Sequence, residues 1–148
     1  MKAWRYGKFE IRAKVPSANQ GILSALWLTP FDKSWPPEID IVEVLGHDSS
    51  IAYFTNHYGS PSNHKMDSGQ KTNISLADDF HTYSVIWTAN DISWLIDGKE
   101  YYKITSNIPD KPMILRLSLP VGPDWEGDPN ESSVFPQSFS IDWVKIYQ

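Results

Sequence analysis

Three carboxylates, Glu38, Asp40 and Glu43, stand among Ile39, Ile41, Val42, Val44 and Leu45 in the stretch SWPPEIDIVEVLG, Ser34 to Gly46. The apolar residues mark a strand, on which side chains two apart share a face, so Glu38 and Asp40 point together. Glu43 would then fall on the core face, where an unpaired carboxylate is costly. A β-bulge, one extra residue at Ile41 or Val42, returns Glu43 to the side of Glu38 and Asp40 and leaves Val44 with the core. Carboxylates spaced at steps of ~6.5–7 Å repel one another and resist full ionisation, which weakens a fold unless the arrangement is used. The chemistry that uses it is cleavage of a glycosidic bond. One carboxylate attacks the anomeric carbon while a protonated one gives its proton to the leaving oxygen, here two Glu with an Asp tuning them. A solvated polar strand face and an oxygen-ligand cation site are the other readings of the same three residues.

The elements that must hold this strand read as strands themselves. Tyr6 to Val15 alternates, with Phe9, Ile11, Ala13 and Val15 on one side and Lys8, Glu10, Arg12 and Lys14 on the other. ILSALWLT (Ile22 to Thr29) reads as a more buried strand, closed by Pro30 and the Pro36-Pro37 pair. Six further runs follow: Ile51 to Tyr58, Phe80 to Thr88, Asp91 to Asp97, Lys99 to Ile104, Met113 to Leu119 and Ser138 to Gln148. Asp97-Gly98 predicts a two-residue hairpin. Short strands without helical periodicity predict an all-β antiparallel sandwich or barrel in a single domain, residues 1–148. Gly59 to Lys71 and Pro120 to Pro136 read as the long loops.

Composition narrows the ligand. A net charge of −5 without a Lys/Arg run argues against nucleic acid or an anionic membrane as partner. No apolar stretch reaches the ~20 residues of a membrane-spanning helix, and the first residues carry no hydrophobic signal segment. With no cysteine there is neither a disulfide framework nor a thiol nucleophile. Seven Trp and seven Tyr suit a partly wet ligand surface as well as a core. His47, His64 and His81 lack zinc-ligand spacing, and His81 reads as structural.

PPEIDIVE resembles the bulged signature E-x-D-x-x-E of family 16 glycoside hydrolases, the laminarinase and lichenase group. WRYGKFEIRAKVP, GILSALWLTP, DDFHTYSVIWTANDISWLIDGKEYY and FSIDWVKIYQ resemble further segments of that family, in family order. The resemblance implies a jelly-roll, concanavalin-like sandwich with a sugar cleft across its concave face. It implies retaining, endo-acting hydrolysis of β-1,3 or mixed β-1,3/1,4-glucan, with Glu38 as nucleophile, Glu43 as acid/base and Asp40 between them. It further implies Trp35, Trp27 and Trp125 as aromatic contacts of the cleft, His57 as a partner of Asp40 or of a sugar hydroxyl, and a place beside sugar for Ser118, where the family usually carries Asn. A glucan-binding domain without hydrolysis and a transglycosylase are the alternatives on the same scaffold. No cofactor is implied for the chemistry. Asp142 matches the side-chain ligand of a structural calcium found in many members.

The family's domain usually begins well before WRYGKFE. The expectation is therefore a sandwich with bare edges, covered by a second copy or by the Gly59 to Lys71 loop, with Lys8, Glu10 and Arg12 nearest the contact. A polysaccharide substrate suggests an extracellular place of action.

Overall fold

The computed structural model describes residues 2–17, 19–122 and 124–148. Ala18, in the break after the first strand, and Pro123, in the Pro120 to Pro136 segment, lie outside the described residues. Among the described residues ten strands form two antiparallel sheets: β1 (Gly7–Lys14), β2 (Leu23–Pro30), β3 (Glu38–Leu45), β4 (Ala52–Ser60), β5 (Asn63–Lys71), β6 (His81–Trp87), β7 (Ile92–Ile96), β8 (Lys99–Ile104), β9 (Met113–Ser118) and β10 (Ser140–Tyr147). One sheet runs β10-β1-β6-β7-β8 and the other β5-β4-β3-β2-β9. No helix forms among the described residues, and the all-β sandwich expected from the strand pattern is the fold observed.

Alternation decides what lies between the sheets. Phe9, Ile11 and Ala13 of β1, Tyr83, Val85 and Trp87 of β6, and Ile92, Trp94 and Ile96 of β7 all point inward and are buried. They meet Leu26 and Leu28 of β2, Ile39, Ile41, Val42 and Val44 of β3, and Phe54 of β4. The β7–β8 turn has φ of 50° at Asp97 and 77° at Gly98, the left-handed pair that a tight hairpin of this twist requires.

Two expectations are corrected. Gly59 to Lys71 is no loop: most of it is β5, paired with β4 from Ala52↔Lys71 to Ser60↔Asn63. Its polar sequence NHKMDSGQK hides the strand because both faces of this sheet edge are largely solvated. Nor is β1 a bare edge. It pairs with β10 on one side and β6 on the other, so Lys8, Glu10 and Arg12 stand on an interior strand; the outermost strands at this end are β10 and β9, the latter bridged to Trp4 at Met113.

Candidate active site

The bulge falls where the carboxylate spacing requires it. Against β2, Val42 pairs with Leu26 and Asp40 with Trp27, so Ile41 has no partner of its own. Against β4 the register jumps between Asp40↔Thr55 and Glu43↔Tyr53. Ile39, Ile41, Val42 and Val44 are buried in the core, while Glu38, Asp40 and Glu43 turn to the opposite face. The Asp40 carbonyl, at the irregularity, accepts a 2.8 Å hydrogen bond from the Trp94 indole of the facing sheet. A backbone acceptor that the ladder leaves inside the protein is thereby satisfied.

Burial sets the electrostatics. Desolvation, then the neighbouring Asp40 charge, pushes the Glu38 carboxyl up to about 7, against the lowering effects of His57 and of the Trp35 indole, which donates to Glu38 Oε2 at 3.2 Å. Glu43 is raised to about 8, by desolvation first and then by the charges of Asp40 and Glu38, with His57 again opposing. Asp40, 3% exposed, is raised to about 7 by desolvation. Glu38 thus has an indole donor that Glu43 lacks, which favours its ionised form. His57 Nε2 lies 3.0 Å from Asp40 Oδ2 and 3.8 Å from Glu38 Oε1. The ring N–H is not aimed along the Asp40 line, and Oδ2 is a buried oxygen without an aligned hydrogen bond.

Grooves open on either side of the triad. On the β4–β5 side a space of about 610 Å³ is lined by Glu43, Tyr53, Thr55, His57, Met66 and Trp125, among others. On the β2–β9 side a smaller space, about 380 Å³, is lined by Trp27, Thr29, Trp35, Glu38 and Arg116, among others. Trp35, Trp27, Trp125 and His57 therefore all line these grooves beside the carboxylates. Ser118 accepts the Trp27 indole N–H at 3.0 Å and so braces that ring, which also lies under the Arg116 guanidinium. Tyr53, Thr55 and His57 alternate along β4, a signal that sequence reading could have used to find Tyr53. His64, which lacks zinc-ligand spacing, is brought to the site by β5: its Nε2 is 2.8 Å from His57 Nδ1, and its ring centroid is 4.7 Å from that of Trp35. His81 bonds Asp97 Oδ2 at 2.7 Å and the Ser75 carbonyl at 3.2 Å, away from the triad.

Asp142 is remote from this face. It stands at the β1–β10 register shift, where Arg12 Nη1 donates to its Oδ2 at 2.6 Å. Calcium takes six to eight oxygen ligands, and one carboxylate already held by a guanidinium does not fit such a cage. Among the described residues, the one group of three close metal-ligating side chains is Glu38, Asp40 and His57.

The sequence model described as glycosyl hydrolases family 16 matches residues 1–145. The chain belongs to that family. It is 35% identical to an endo-1,3-1,4-β-glycanase of Rhizobium meliloti over 146 residues, 98% of this chain and 31% of that protein. The laminarinase catalytic domain of Thermotoga maritima superposes with a TM-score of 0.88 at 32% identity, over 99% of this chain and 65% of that one. A protein from Z. galactanivorans, solved with laminaritriose and laminaritetraose, superposes with a TM-score of 0.86 at 28% identity, over 99% of this chain and 67% of that one. The chain thus spans about a third of the glycanase and about two thirds of each structural neighbour.

Proposed function

We propose that this chain carries the catalytic centre of a retaining endo-β-glucanase acting on β-1,3 or mixed β-1,3/1,4-glucan. The observation that carries the reading is the bulged β3 strand, which turns Glu38, Asp40 and Glu43 together onto a face grooved on either side. Ionised Glu38 attacks the anomeric carbon and forms a glycosyl ester as the glycosidic bond breaks. Glu43 passes its proton to the departing oxygen. Glu43 then takes a proton from water as that water attacks the anomeric carbon, the ester bond breaks, and Glu38 leaves as carboxylate. Asp40, when ionised, places negative charge beside both Glu and so holds their protons to higher pH. Exposed Trp35 and Trp125, with Trp27 between strands, offer flat faces to pyranose rings on both sides of the reacting bond.

Polymeric glucan is met outside the cell, so the expected place of action is extracellular. The deciding experiment is product analysis on laminarin, barley β-glucan and cellulose by chromatography, with proton NMR of the first-formed anomer. Oligosaccharides released from laminarin or barley glucan with β-anomeric ends support the reading. Initial α-anomers overturn retention, and binding without release of reducing ends overturns hydrolysis.

A further inference from the structure

Glu126 takes no part in the chemistry above, yet its side chain is fully buried in an otherwise polar loop. Oε1 accepts the backbone N–H of Gly21 at 3.0 Å and of His47 at 3.1 Å, and Oε2 lies 2.8 Å from His47 Nδ1. The Glu126 carbonyl also accepts from Gln20 Nε2 at 2.6 Å. A buried carboxylate is tolerated only when its lone pairs are filled, and three nitrogen partners fill these. Those partners come from two places. Gly21 precedes β2, and His47 follows Gly46 at the end of β3, the strand that carries the triad. The loop is thus tied to the catalytic strand itself, and the next residue back, Trp125, stands half exposed with its ring edge-on to Tyr53 at 4.8 Å. Both rings line the groove beside Glu43.

We infer that Glu126 is a positioning residue, whose carboxylate fixes Trp125 as the wall of the Glu43-side groove and so sets how tightly glucan units in that groove are held. The inference rests on the glucan-cleft reading. It makes Glu126 matter in proportion to substrate length, because only chains long enough to reach Trp125 feel the loss, whereas the reaction at Glu38 and Glu43 is untouched.

The test compares Glu126→Ala, Glu126→Gln, His47→Ala, Trp125→Ala and the double variant Trp125→Ala/Glu126→Ala, with steady-state kinetics on laminari-oligosaccharides of increasing length. For Glu126→Ala the expected result is a KM raised about five- to tenfold on the longest substrate, the scale of one aromatic contact, with kcat nearly unchanged. Glu126→Gln keeps the acceptor for both backbone N–H groups and restores much of the affinity. In the Trp125→Ala background the second substitution adds little, since both changes remove the same contact. Additive effects in the double variant, or an equal fall in kcat on every substrate, overturn the inference. If Glu126→Ala does not fold, His47→Ala, which removes one of the three partners, carries the same comparison. Hydrogen exchange of the backbone N–H groups from Asp124 to Phe135, prolines aside, gives a readout independent of catalysis: faster exchange in Glu126→Ala with unchanged exchange in β6 and β7 supports the tie, and unchanged loop exchange overturns it. A wild-type chain that cleaves no glucan refutes the proposed function, and the exchange result alone then decides whether the tie exists.

Discussion

Asp40 on β3 is a carboxylate only 3% exposed, whereas Val144 on β10 is an aliphatic side chain 41% exposed. Both reverse the usual sorting of polar and apolar groups, and register explains each. On β3 the bulge collects carboxylates on one face, where burial raises their proton affinity. On β10, Val144 pairs with Ile11 and Ile141 with Ala13, both partners fully buried, so these exposed side chains lie on the inward face of their sheet. Leu117 of β9 likewise pairs with buried Leu26 and is 41% exposed. The exposed aliphatics are therefore core residues at an end of the sandwich that these strands leave open. A misplaced charge marks the proposed chemistry; misplaced aliphatics mark an open face.

The sharpest break in this comparison comes at the carboxylates. Glu38→Gln and Glu43→Gln should each lower kcat on laminarin by about 10³-fold or more while the circular dichroism spectrum is unchanged, since the amide is isosteric but neither attacks nor donates a proton. Wild-type rates in either variant would remove that residue from the chemistry. For Glu43→Ala, azide should restore turnover of an aryl glucoside with a good leaving group and give the β-glycosyl azide. Asp40→Asn should cost less, about 10- to 100-fold, and should move the pH profile to lower pH because a charge that raises both Glu is gone. In the wild type that profile should be a bell near neutrality, rising as Glu38 ionises and falling as Glu43 loses its proton, both limbs belonging to the coupled pair.

The same burial has a signature in stability. The three carboxyls ionise near pH ~4 when unfolded but hold protons to about 7 or 8 when folded. The folded chain therefore binds more protons across that interval, and their stabilising contribution, complete below pH ~4, is lost as pH rises through 7 to 8. Tm measured by calorimetry should fall by about 5 °C between pH 5 and pH 8, and Glu43→Gln should flatten the decline. A Tm that rises across this interval would contradict the buried, proton-retaining triad.

The strands and the triad were legible because each depends on local order. Alternation gives β1 and β6 to within a residue or two, and the broken alternation at Glu43 marks the bulge. What stayed hidden depends on distance along the chain or on solvent. β5 has no apolar period because it is a solvated edge. Glu126 meets His47 across 79 residues, and nothing in the dipeptide Trp125-Glu126 shows which of the two side chains turns inward. The placement of β1 between β10 and β6 is a pairing choice, and a strand's own sequence does not name its neighbours.

The smallest expected effect tests the open end. Val85 on β6 is fully buried, and truncating it to alanine should cost roughly 2–3 kcal/mol in urea unfolding. Val144→Ala should cost well under half of that in the isolated chain, since a side chain 41% exposed has less transfer energy to lose. In purified protein a second copy can supply cover, and β10, with the part of β9 beyond the Trp4↔Met113 bridge, presents an unpaired backbone edge among the described residues, so a symmetric dimer is the expected state as concentration rises. Burial of Val144 in such a dimer raises the cost of its truncation toward that of Val85. The cost of Val144→Ala should therefore grow with protein concentration while the Val85→Ala cost stays fixed, and light scattering should show mass doubling over the same range. A strictly monomeric chain, with a Val144→Ala cost independent of concentration, would show that the open end is tolerated without cover from a copy of itself.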